Sequence, residues 1–249
     1  MLSWEDAFCE RLAAGSRLVV RYDQRDTGRS VAYEPGAPRY TGVDLVEDVV
    51  GLLDALGLAR AHLVGISMGG AIAQIVALDH PERVESLTLI STSPAEPGDR
   101  GLPPSSEAMR AYFAAPPPSP DWSDRDAVVE YVVEDARMYA SSSRPFDDAA
   151  WRALARRDFD RSRNIASSLT NHSAIDNGER PHKRLGEIRA RTLVIHGSHD
   201  PLFPLAHGQA LAAEIPDARL LVLGQTGHEL PEPVWDVVVP AILEHTAPR

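Results

Sequence analysis

The sequence predicts an α/β fold: a mostly parallel sheet with helices on both faces and a helical cap insertion. Three observations predict it. Apolar runs of strand length alternate with amphipathic runs of helix length. The G-x-S-x-G of Gly65-Ile66-Ser67-Met68-Gly69 lies where one such strand would turn into a helix. Near Ala95 the alternation gives way to a helical pattern, and it resumes after Ile188. Residues 1–94 and 189–249 are therefore expected to form the core, and 95–188 the cap insertion.

Ser3 and Asp6 open a helix with Trp4, Ala7, Phe8 and Leu12 on one face, closed by Gly15. Leu18-Val19-Val20, leading to Tyr22, reads as a short buried strand, followed by the turn-rich Asp23 to Ser30. Thr41 and Asp44 start a second helix with Val46, Val49, Val50, Leu53 and Leu56 inward, ended by Gly57. Ala61 to Val64 is strand-like, Ala71 to Leu78 is helical, and Pro81 stops that helix. Ser86 to Ile90 is the next strand, running into a loop from Ser91 to Pro97. After the stiff Pro116-Pro117-Pro118-Ser119-Pro120, helices are expected over 127–139 and 147–157. The closing units are a strand over 191–196, a helix over 204–215, a strand over 218–223 and a helix over 233–245.

Composition narrows the function. A formal charge of −11 and no block of Lys and Arg argue against nucleic acid or an anionic membrane as partner. No apolar run approaches the roughly 20 residues that span a bilayer. The one cysteine, Cys9, and an opening Met-Leu-Ser-Trp-Glu-Asp without a leader pattern lead us to expect a reduced, cytoplasmic protein. No H-E-x-x-H, thiolate cluster, phosphate-cradling loop or dinucleotide fingerprint occurs, so neither a metal nor a cofactor is expected.

Serine is a weak nucleophile and needs a base within reach, itself oriented by a third group. Two loops that follow predicted strands supply them: Gly197-Ser198-His199-Asp200-Pro201 and Gly224-Gln225-Thr226-Gly227-His228-Glu229. Ser67 is the expected nucleophile, His228 its base, Asp200 the orienting carboxylate, and the Met68 backbone N–H an oxyanion donor. Of nine histidines, His62, His196, His80 and His245 fall in strands or near helix ends, His172 and His182 in or near the insertion, and His199 and His207 beside or after Asp200. His228 alone occupies a Gly-bounded loop after the last strand. The loop after Ile90 offers Ser91, Thr92 and Ser93 and no nearer carboxylate.

With Ser, Asp and His in that chain order, the sequence resembles the α/β-hydrolase superfamily over nearly its whole length. The segment Arg21-Tyr22-Asp23-Gln24-Arg25-Asp26-Thr27-Gly28-Arg29-Ser30 looks closer still to aclacinomycin methylesterase, as do Pro145-Phe146-Asp147-Asp148 and His199-Asp200-Pro201 through His207-Gly208. The resemblance implies an esterase acting on a hydrophobic, polyketide-like methyl ester. Asp23 and Arg25 read as structural anchors of their turn. One departure concerns the N-terminus: the fold has three strands before the helix that here begins near Ser3, and the third leads into the loop giving the second oxyanion N–H. An N-terminally truncated form of the fold is therefore expected, with Met68 its one oxyanion donor. An internal start codon, direct pairing of the flanking strands, or a strand from a partner chain would each account for this. The expected activity is serine-dependent carboxyl-ester hydrolysis through an acyl-enzyme. C–C bond hydrolysis, perhydrolysis and a ligand-binding remnant are the alternatives.

Overall fold

A computed structural model of the protein describes residues 2–95, 100–176, 178 and 184–248. In chain order its elements are α1 (Asp6–Ala14), α2 (Gly42–Ala55), β1 (Ala61–Ile66), α3 (Met68–Asp79), β2 (Val84–Ile90), α4 (Glu107–Ala114), α5 (Arg125–Tyr139), α6 (Asp148–Arg161), α7 (Ile165–Thr170), β3 (Arg191–Gly197), α8 (Ala206–Glu214), β4 (Arg219–Leu223) and α9 (Trp235–His245).

The strands form one parallel sheet in the order β1-β2-β3-β4. β2 and β3 are buried along nearly their whole length, as parallel strands covered on both faces are, and Leu87, Leu89, Ile90, Val194 and Ile195 are fully buried. The register sets Ile66 beside Ile90, Ile90 beside Ile195 and Gly197 beside Leu223. All four strands therefore end along one edge, and the loops that follow share it. α3 packs on β1 and β2, α8 on β3 and β4, and α9 on β3. In the last turn of α9, His245 Nε2 lies 3.1 Å from both the Leu87 and Arg191 carbonyl oxygens, fastening the chain's closing helix to two strands. Pro81 acts as the sequence predicts: α3 ends at Asp79 and a single 3-10 turn, Pro81–Arg83, leads into β2.

The chain divides into two compact units. One, comprising 46–110, 139–144 and 178–249, contains the sheet; the other comprises 1–45, 111–138 and 145–177, so the segment 95–188 contributes to both. In the second unit the turn after Tyr22 is held by carboxylates. Asp23 pairs with Arg161 and accepts from the Arg29 N–H (3.1 Å). Buried Asp26 accepts from the Tyr33 N–H (2.6 Å) and from Asn171 Nδ2 (2.8 Å). Arg25 lies over the Tyr40 ring, 5.8 Å from its centroid. Thr41 and Asp44 form a capping box at the start of α2: Asp44 accepts from the Thr41 N–H (2.8 Å), and Thr41 Oγ1 from the Asp44 N–H (3.4 Å).

Three expectations change. Residues 18–22 are not a strand; Leu18 is 83% and Val20 46% exposed. An apolar run becomes a strand through a neighbouring ladder, and the sheet's outermost strand on this side is β1. The inward face of α2 is Leu45, Val46 and Leu53, while Leu56 is 47% exposed. α1 buries Phe8 and Leu12 and leaves Ala7 exposed. Within the insertion the sequence places α5 and α6 and leaves α4 and α7, of eight and six residues, unassigned.

Burial pushes His172, His196 and His245 below the usual histidine range. Each is disfavoured as a cation when folded but protonates freely when unfolded, so the unfolded chain binds more protons below about pH 6.5. Stability is thus full above that pH and falls as the pH drops beneath it. Thermal melts at about pH 7.5 and 5.5 should show a lower Tm at the acid value, with the slope reduced in His245→Gln. A Tm constant over this interval would contradict the assignment.

Candidate active site

Ser67 stands between β1 and α3 at φ 52° and ψ −120°, a conformation that side chains other than glycine rarely adopt. The surroundings hold it there. Its N–H donates to the Ile90 carbonyl (2.9 Å), and its carbonyl accepts from Thr92 Oγ1 (2.8 Å) and the Gly70 N–H (2.9 Å). Close packing explains two of the glycines: a Cβ on Gly65 would lie 2.2 Å from the Gly69 oxygen, and one on Gly70 2.7 Å from Thr92 Cγ2. Gly69, the second glycine of the motif, has nothing within 4 Å of such a carbon. The crowding expected of the G-x-S-x-G therefore falls on Gly65 and on Gly70, which lies outside it. Met68 is the first residue of α3, where an N–H has no carbonyl acceptor within the helix and the helix dipole favours negative charge.

The three side chains selected from sequence meet at the shared sheet edge. His228 Nε2 lies 2.8 Å from Ser67 Oγ, and Nδ1 lies 2.8 Å from Asp200 Oδ2. An ionised carboxylate only accepts, so Nδ1 carries the hydrogen and Nε2 is left to accept the Ser67 proton. Asp200 is fully buried; its Oδ1 accepts from the Leu202 (2.9 Å) and Phe203 (2.8 Å) N–H groups, which fixes its orientation. A buried carboxylate with this many donors is compensated for its lost hydration.

Further residues position His228, and the sequence reading did not single them out. The Tyr139 and Phe203 rings lie 5.8 and 5.5 Å from the His228 ring. Residues 139–144 clasp the loop that carries His228: Tyr139 O accepts from the His228 N–H (2.8 Å), Glu229 Oε1 from the Ser141 N–H (3.2 Å), and Arg144 Nη2 donates to Gly224 O and Thr226 Oγ1 (3.0 Å each). A Cβ on Gly227 would lie 2.5 Å from Ser141 N, so this approach requires glycine. Nothing in the sequence pattern marks 139–144, because the contact is made between segments far apart in the chain and much of it is to backbone atoms. His196 Nε2 donates to Phe203 O (2.7 Å) and lies 3.5 Å from Asp200 Oδ2. That second distance is too long for a hydrogen bond, and burial keeps the ring neutral, so it is no ion pair. The short spacing of His196 from Asp200 was the available signal.

The other histidines lie elsewhere. His62 meets Ser86, His80 meets Glu47, His172 meets the Arg25 carbonyl, and His199 meets Ser198. His182 lies outside the described residues, as does part of the Ser91 to Pro97 loop. Among the described residues no group of three His, Cys, Asp or Glu is placed to hold a metal ion, and no helix is long and apolar enough to cross a membrane. An open cleft of about 870 Å³, lined by Leu78, Pro81, Ile188, Arg191 and Asp217, lies at the end where β3 begins, opposite the triad.

Residues 3–232 match the family model described as alpha/beta hydrolase fold. The chain is similar to rhodomycin D methylesterase DauP of Streptomyces sp. (strain C5): 32% identity, covering 98% of this chain and 86% of the relative. It is 34% identical to 2-hydroxy-6-oxo-6-phenylhexa-2,4-dienoate hydrolase of Comamonas testosteroni, over 72% of this chain and 60% of that one. Among solved structures, the enol-lactonase from Burkholderia xenovorans LB400 superposes with a TM-score of 0.70 at 27% identity, covering 98% of this chain and 85% of that one.

The crowding around the elbow separates its glycines. Gly65→Ala and Gly70→Ala should each destabilise the protein by about 1–3 kcal/mol. Gly69→Ala should fold at least as stably as the parent, with up to about 1 kcal/mol gained from helix propensity. Denaturant melts of the three variants check this; equal losses at all three would refute the packing account.

Proposed function

This chain belongs to the α/β-hydrolase family, and from that premise we propose that it is a serine-dependent carboxyl-ester hydrolase acting on the methyl ester of a small hydrophobic molecule. The observation that carries the proposal is the unbroken chain from Ser67 Oγ through His228 to Asp200, each link 2.8 Å. As Ser67 Oγ attacks the ester carbon, its proton passes to His228 Nε2, and Asp200 stabilises the resulting imidazolium. Charge developing on the carbonyl oxygen is met by the Met68 N–H at the positive end of α3. His228 then protonates the departing alkoxide as methanol, leaving an acyl group on Ser67. Water activated by the same imidazole releases the acid and restores the serine. We read 95–188 as a helical insertion into the core formed by 1–94 and 189–249.

The methyl ester reading draws on the methylesterase relative, matched along almost the whole chain. A second reading, cleavage of a carbon–carbon bond beside a ketone, draws on the dienoate hydrolase relative and would use the same three residues. A panel containing hydrophobic methyl esters, aryl esters and vinylogous diketones separates the two. The highest kcat/KM is expected on a methyl ester, and a preference for the diketones would replace the first reading with the second.

Ser67→Ala should lower turnover by about 10⁴-fold or more. Asp200→Asn, which keeps the shape but presents the wrong hydrogen-bonding partner to Nδ1, should lower kcat by about 10⁴ with little change in KM. Either variant turning over at the parental rate would overturn the mechanism.

A further inference from the structure

A second serine at the same sheet edge is wired like the first. Ser93 Oγ lies 2.8 Å from His207 Nδ1, and His207 Nε2 lies 2.9 Å from the Pro103 carbonyl oxygen. That carbonyl can only accept, so in the neutral ring Nε2 carries the hydrogen and Nδ1 is left to accept from Ser93. The tautomer is fixed by an acceptor, as in the triad, but on the opposite ring nitrogen and with a peptide carbonyl in place of a carboxylate.

The serine is also held in place. Fully buried Gln74 donates through Nε2 to Ser93 O (3.0 Å) and accepts through Oε1 from the Ala95 N–H (3.0 Å), fixing the backbone on both sides of Pro94. The residue before it, Thr92, donates to the Ser67 carbonyl. The Phe203 ring contacts both imidazoles, 5.3 Å from His207 and 5.5 Å from His228. Ser93 and His207 are both partly exposed.

We propose that Ser93 and His207 form a second acylatable site beside the triad, taking small activated carboxyl esters. Ser93 Oγ bonds to the ester's carbonyl carbon while its proton moves to His207 Nδ1. The bond from that carbon to the leaving oxygen breaks, and the imidazolium gives its proton to the departing phenolate. The products are an acylated Ser93 and a free phenol. The site stands on its own hydrogen bonds, not on the role proposed for Ser67.

The test uses full-length Ser67→Ala protein with p-nitrophenyl acetate, followed by mass spectrometry of its peptides. Acetylation is expected at Ser93 at least about 10²-fold faster than at Ser142, an exposed serine that serves as an internal reference. Adding His207→Gln should lower the Ser93 rate by about 10²-fold, and adding Ser93→Ala should abolish that adduct. No adduct at Ser93, a rate equal to that of Ser142, or a rate unaltered by His207→Gln would each overturn the proposal. Because the Ser142 comparison and the Ser93→Ala variant leave His207 untouched, the test does not depend on His207→Gln folding. Because Ser67 is absent throughout, failure here leaves the triad's proposed function as it was.

Discussion

A serine held at φ 52° will relax unless its neighbours prevent it, and the site depends on that constraint at Ser67. Strand β2 supplies the means. Its last carbonyl, Ile90, takes the Ser67 N–H, and the threonine two residues beyond grips the Ser67 carbonyl and fills the space beneath Gly70. With the backbone so fixed, Oγ meets His228 and the first turn of α3 begins at the next residue. The strain is carried by sheet pairing and close packing, so the parallel register of β1 with β2 is itself part of the reactive arrangement.

The same sheet edge gathers the other two residues by a simpler rule. Parallel strands in register end together, and each ending releases a loop at one height. Asp200 follows β3, and His228 follows β4. The buried backbone around Asp200 and the clasp of 139–144 around the His228 loop then reduce the freedom those loops would otherwise keep. Preorganisation of this kind spares the reaction the cost of arranging its own groups.

The strand-to-helix turn, the order of serine, carboxylate and histidine, and most of the alternating elements were legible in the sequence because each leaves a local pattern. What escaped was set by partners distant in the chain. Residues 18–22 have the composition of a strand, yet the sheet they would join begins at β1. Leu56 lies on the face the sequence predicts to be inward, but just past Ala55, where α2 ends, and there it stays half exposed. Gly69 belongs to the motif by spacing although its surroundings are open, whereas Gly70 is required by a threonine on another strand's loop. Gln74 and Arg144 act on carbonyls and amides, which have the same chemistry at every position and leave no mark in a sequence.

The pairing of β2 with β3, in which Ser86 meets Arg191, spans the long segment between those two strands. Closing so long a loop costs entropy that grows only logarithmically, about 0.6 kcal/mol for each doubling of its length. A change in the length of this connecting segment would therefore carry a small thermodynamic cost. Kinetically the separation matters more, since long-range pairings form late. β1, α3 and β2 are contiguous, and the contacts that hold the Ser67 backbone, from Gly70, Ile90 and Thr92, all lie within that stretch and its loop, while Asp200 and His228 come after the long crossover. The backbone turn at Ser67 is thus a local product of the chain, whereas its meeting with His228 and Asp200 is a long-range one that waits for the far end of the chain to fold back onto the sheet.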